Sequence, residues 1–192
     1  MALRRILGDE PCLRDPPMRF ATIGALLLML AGCALLPGQR SLPQFPWGAS
    51  PQEIRAEQAT RPVLASPERQ VYHARLAGLP ATFVYHFADG KLTEVVVVNR
   101  ARYQDRTRYI DDFHHVSGLL RQRHGQPDFE EMRWRNRLFA DRPERYGDAI
   151  SAGHLTYLAR WTTPEVRILM ALRGERYQVV HELVYRPPEN GG

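Results

Sequence analysis

Apolar and polar residues alternate most clearly in the last third of the chain, over residues 155–161, 166–173 and 176–186, the period of strands with one buried face. Taking Gly174-Glu175 as a turn sets Ile168 opposite His181 and Arg167 opposite Glu182. Pairing Trp161 with Val166 extends the same face backward. That face then carries Leu155, Tyr157, Ala159, Trp161, Val166, Ile168, Met170, Leu172, Tyr177, Val179, His181, Leu183 and Tyr185. Nearly all of it is apolar, so it needs a cover. A second extended region spans 71–98 and is cut by two turn signals, Gly78-Leu79 and Asp89-Gly90. Read as two-residue loops, these set Tyr72 opposite Tyr85, Ala74 opposite Phe83, Phe83 opposite Val96, and Phe87 opposite Leu92. The resulting face is apolar apart from Glu94, while Val71, His73, Arg75, Thr82, Val84, His86, Thr93, Val95 and Val97 point the other way. Residues 95–98 are apolar on both faces, which places that strand inside a sheet.

Two stretches carry the helical period. Ser50 and Glu53 form a capping box with Pro51 at the first helical position, predicting a short helix over 51–59. Tyr109, Phe113, Val116 and Leu120 make one stripe of a helix over 105–124, stopped by His124, Gly125 and Pro127. This second helix is the simplest cover for the apolar sheet face. Between these regions, residues 131–138 read as a strand with Arg133, Arg135 and Arg137 on one face and Trp134 and Leu138 on the other. Residues 141–153 read as a polar loop.

The early part of the chain is patterned differently. Met18-Arg19 precedes an uncharged run over 20–36 that ends its core at Leu30-Ala31-Gly32-Cys33. The order is that of a secretory leader. The alternative, a short uncleaved membrane helix, sits at the bottom of the ~17–25 residues needed to span a bilayer. Residues 1–17 contain Asp9, Glu10 and Asp15, which suits a leader poorly, so translation is expected to begin at Met18. The expected organisation is therefore an extended start over 1–17, a signal over 18–32, a Pro-rich tether over 33–46, one domain over 47–187 and a tail over 188–192.

Leu30-Ala31-Gly32-Cys33 resembles the lipobox of bacterial lipoproteins. That resemblance implies cleavage before Cys33 and a diacylglycerol on its thiol, with Ala34 rather than Asp favouring the outer membrane. Trp47-Gly48, Ser50-Pro51 and Glu53 look like the opening of many exported bacterial domains. The order helix then three-strand meander, stated twice, looks like the tandem plan of beta-lactamase-inhibitor proteins. BamE-type outer-membrane-assembly lipoproteins use a single such unit.

Composition narrows the chemistry. A chain of 192 residues suits one domain after removal of a leader. From Cys33 onward, 22 basic residues face 18 acidic ones, a net of +4. A lipid-anchored exported protein rarely meets nucleic acid, so none is expected as a partner. Cys12 precedes the leader and Cys33 is the acylation site, which leaves no disulfide, thiol nucleophile or cysteine-bound metal. Asp111 and His115 sit one turn apart and are the best metal temptation, but they lack a third ligand. His73 and His86 lie diagonally on neighbouring strands, and His181 reads as a satisfied core histidine. No GxSxG, P-loop or GxGxxG occurs, and Ser117 and Ser151 lack a nucleophile context. Glu94 is the sole carboxylate in an odd environment and is expected to reach solvent at the sheet margin.

Arg133, Arg135 and Arg137, with Arg142 and Arg145 nearby, form the best interaction candidate, since clustered guanidinium groups need solvent or anionic partners. The expectation is an α+β domain with an antiparallel β-sheet of two three-stranded meanders, helices on one face and a tandem αβββ plan. It acts as a non-enzymatic binding or scaffold module without cofactor or metal. It is anchored to the envelope membrane through Cys33 and faces an envelope protein, anionic lipid or peptidoglycan. The alternative is a cell-wall hydrolase or a metal-dependent envelope enzyme.

Overall fold

The computed structural model describes residues 42–189; the leader, the lipobox and Cys33 lie outside the described residues. The first helix, α1 (Pro51–Glu57), begins as its capping box requires. The Ser50 hydroxyl accepts the Glu53 N–H, and the Glu53 carboxylate accepts the Ser50 N–H at 2.7 Å. That bond holds the Glu53 carboxyl below its ordinary pKa. Four strands follow: β1 (Leu64–Ala65), β2 (Arg69–Leu76), β3 (Leu79–Ala88) and β4 (Lys91–Asn99). Then come α2 (Thr107–His124) and β5 (Phe129–Trp134), a 3-10 turn at Pro143–Arg145, and α3 (Tyr146–Ser151). The chain closes with β6 (Leu155–Thr162), β7 (Arg167–Glu175) and β8 (Gln178–Arg186).

All eight strands form one open antiparallel sheet in the order β1-β2-β3-β4-β8-β7-β6-β5. The fold is α+β with an antiparallel sheet. The three helices pack on one face of it. On that side α1 accepts a hydrogen bond from Gln70 at the Pro51 carbonyl, and α2 lays Phe113 against Tyr157 and His181. The end of α3 comes so close to β7 that a Cβ on Gly174 would lie 1.9 Å from the Ile150 carbonyl oxygen. The stripe Tyr109, Phe113, Val116 and Leu120 is buried under this cover, and Trp161 donates from its indole to the Gly125 carbonyl at 3.0 Å.

Several registers differ from the sequence reading. The β2–β3 turn is Ala77-Gly78, both at positive φ, so Tyr72 faces Phe83 and Ala74 faces Ala81. The β7–β8 turn is Arg176-Tyr177, which sets Ile168 opposite Tyr185 and Arg167 opposite Arg186. Trp161 faces Ile168 rather than Val166. Each of these slips moves a strand by an even number of residues, so the buried face is unchanged. Only Tyr177 leaves it, as a turn residue 82% exposed.

A bulge between His86 and Phe87 acts differently. Phe87 still faces Leu92, but Phe83 faces Val97, and Val95 and Val97 turn into the core at 0% exposure. Glu94 therefore lies on the opposite face from the one expected. Two further corrections fall in the middle of the chain. Residues 42–46, expected as tether, pack on the domain, with Leu42 buried and Phe45 against Tyr185 at 5.0 Å between ring centres. Residues 141–153, expected as a polar loop, contain the turn at 143–145 and α3, whose Ala149 and Ile150 are fully buried.

Candidate interaction surface

With all three helices on one side, the other face of the sheet is covered by no described element. Its residues follow from the register. One row of directly opposed residues crosses every strand: Leu64, Val71, Val84, Val96, Val184, Leu169, Arg160 and Phe129. Six consecutive strands contribute an aliphatic side chain. The row then ends with the Arg160 guanidinium stacked 5.6 Å from the centre of the Phe129 ring. At about 4.8 Å between strands the row is about 34 Å long. Leu64, Leu169 and Phe129 are among the large apolar side chains left exposed, at 41%, 43% and 36%.

Charged residues flank this stripe. On one side, Arg69, His86, Glu94, Arg186 and Arg167 form the neighbouring row, and Arg186 is bonded to Glu94 at 2.7 Å. On the other side, Glu182 and Glu131 alternate with Val98, Ala171 and Leu158. Arg173 bonds Glu175 at 2.9 Å and Glu182 at 3.1 Å. The bond to Glu175, with the Glu182 charge added, raises the Arg173 pKa despite partial desolvation. A recess of about 510 Å³ opens beside Leu169 and Val184, and Arg160, Arg167 and Arg186 stand around it. The surface is thus an aliphatic strip bordered by ion pairs of both signs. Such a surface can bury apolar area against a partner while its rim sets orientation.

The sequence candidates are placed as follows. Arg133 lies on β5, faces this open surface and bonds Glu131 at 2.7 Å. Arg135 and Arg137 lie beyond the strand, which ends at Trp134, so the three do not form one strand-face row. Trp134 packs under the sheet onto Tyr146, with 5.2 Å between ring centres, and after one more bond from the Arg135 N–H to the His154 carbonyl the chain enters the loop before α3. Arg145 stacks over Phe139 and bonds Asp148 at 2.5 Å.

His73 and His86 are farther apart than expected, because His73 faces Thr82 and His86 faces Arg69. His115 lies against the Ala77 carbonyl at 3.1 Å, and Asp111 is exposed. Among the described residues no three His, Cys, Asp or Glu side chains gather as a metal site. Glu94 is tied to Arg186 on the open face, and Ser151 donates to the Tyr177 carbonyl at 2.8 Å.

Ser117 on the buried side of α2 and His181 beneath that helix are both buried, and neither the Ser117 hydroxyl nor either His181 ring nitrogen has a partner among the described residues. His181 is therefore a core residue but not a satisfied one. Burial pushes its pKa down to about 4.

Comparison with protein-family models, curated proteins and solved structures finds no match. No described helix is long and apolar enough to cross a membrane. The eight-strand row is what the sequence reading missed. Its central step, Val96 to Val184, joins strands far apart in the chain and has no local signal.

Proposed function

We propose that the protein is a lipid-anchored component of the bacterial cell envelope, tethered through Cys33, whose domain is a non-catalytic binding module. The observation that carries the binding reading is the uncovered sheet face with its aliphatic row. The Leu30-Ala31-Gly32-Cys33 motif carries the anchor, and Ala34 favours the periplasmic face of the outer membrane. The strand order 1-2-3-4-8-7-6-5 supports reading the domain as two halves, each a helix with an antiparallel meander, in the manner of BamE-type and beta-lactamase-inhibitor units.

The partner is an envelope protein. An aliphatic strip about 24 Å long, within a row of about 34 Å, matches one side of an ordinary protein interface. The rim carboxylates Glu94, Glu182 and Glu131 are bonded to Arg186, Arg173 and Arg133, and the aliphatic strip between the rims calls for a partner with apolar area to bury, which lipid head groups and peptidoglycan do not present. Arg133 joins this surface at its β5 margin, while Arg135 and Arg137 stand apart from it.

A photo-crosslinking residue at Leu169, in cells, tests this reading. It should trap a discrete protein adduct, and the same probe at Gln52 on the helical side should trap none. Leu169→Glu should abolish trapping from a probe at Val84 and leave circular dichroism unchanged. Equal adducts from Gln52, or none from either sheet position, would overturn it. For the anchor, Cys33→Ser should leave the precursor uncleaved and abolish palmitate labelling.

A further inference from the structure

We infer that the recess between the start of α2 and the β7–β8 hairpin is a binding site for a phosphate group. It holds about 250 Å³ and is lined by Arg102, Arg106, Tyr109, Tyr177 and Gln178, with no carboxylate in its wall. Tyr103 also lines it but spends its hydroxyl on Asp112 and its N–H on Tyr109, while Arg102, Arg106 and Tyr109 keep donors to give. Arg102 spends one bond on the Ala101 carbonyl at 3.1 Å and has no acidic partner among the described residues. Arg106 is held by Asp148 at 2.8 Å, which fixes its guanidinium and leaves other N–H groups free.

Tyr109 supplies the most telling group. It is only 7% exposed, and its hydroxyl accepts the Tyr103 N–H at 3.1 Å, yet no described acceptor takes the hydroxyl hydrogen. The hydroxyl hydrogen is left for an oxyanion in the recess to receive.

The nearby acids are already engaged. Asp112 accepts from Asn99 and Tyr103, Asp105 accepts the Thr107 N–H, and Asp148 takes both Arg106 and Arg145. Hydrogen bonds from Arg145 and then Arg106 hold the Asp148 carboxyl below its ordinary pKa, so it stays charged and keeps Arg106 in place. The first turn of α2 adds no acid. Two guanidinium groups and a phenol suit the several acceptor oxygens of a phosphate, which charge-assisted bonds would hold. Free phosphate monoesters and lipid head groups share this chemistry.

Calorimetric titration of the full chain at fixed ionic strength tests the site with two probes, inorganic phosphate and glycerophosphoglycerol, the deacylated head group of an anionic lipid. One-site binding should appear with at least one probe, and the tighter probe names the source. Arg102→Gln should weaken binding about tenfold, a loss of about 1.4 kcal/mol. Tyr109→Phe should weaken it comparably, and Arg137→Gln, which does not line the recess, should not. Tyr109→Phe also removes the acceptor for Tyr103, so Arg102→Gln, at an exposed position, is the deciding variant. No binding of either probe, or equal weakening by Arg137→Gln, would overturn the site.

Discussion

His181 sits on β8 opposite Leu172, beneath the Phe113 ring, with both nitrogens unpartnered. Its folded pKa of about 4 lies below the ordinary histidine value of 6.5, so the folded state disfavours its protonated form. Below pH 6.5 the unfolded chain binds a proton that the folded chain refuses. Stability from this group is fully present above pH 6.5 and is lost progressively as pH falls to about 4. The full loss is on the order of 3 kcal/mol. His181→Leu should remove that component, and it should not lower stability at pH 7, because it also removes two unsatisfied nitrogens. Urea melts of both proteins between pH 7 and pH 4 would check this. Parallel curves for the two proteins would mean that His181 finds a partner in solution. At this scale the sequence was informative about place and silent about partners. Alternation put His181 on the buried face, but whether a buried imidazole is satisfied depends on α2, which approaches from another part of the chain.

The hairpin turns show how far local chemistry determines an element. Asp89-Gly90 reads correctly because both residues adopt positive φ at low cost. The β2–β3 turn is one residue off because Ala77 takes the first left-handed position and Gly78 the second. Arg176-Tyr177 could not be read at all, since neither residue favours its φ of 50° and 61°. The nearby glycine signal has another use: Gly174 leaves room for the α3 carbonyls. Left-handed backbone at non-glycine residues costs roughly 1–2 kcal/mol each. Arg176→Asn combined with Tyr177→Gly should therefore stabilise the domain by about 1–2 kcal/mol, read as a higher urea midpoint. An unchanged midpoint would show that the turn carries no strain. The bulge at His86/Phe87 was illegible for a different reason. It adds one residue to one strand, and nothing in Thr93-Glu94 marks where that residue is absorbed.

Among the described residues, the one ladder that joins strands β1–β4 to strands β5–β8 sets Val95, Val96, Val97 and Val98 against Tyr185, Val184, Leu183 and Glu182. Individual strands and the second helix were legible because each carries its own period. This seam was not, and with it went the aliphatic row that makes the open face a candidate surface. The seam also sets a timetable for biosynthesis. β4 is made early, yet its second neighbour is the last strand of the domain. Until β8 emerges, the valine run has a bare edge, the kind of template on which chains associate, and long-range pairing of this sort forms slowly. A chain ended after Glu175 should therefore not behave as a slightly weakened domain. It should accumulate in the insoluble fraction or be degraded, as size-exclusion chromatography and pulse-chase labelling would reveal, and a soluble monomer would contradict this. Until its final strand arrives, the protein needs an escort for a segment it completed about eighty residues before.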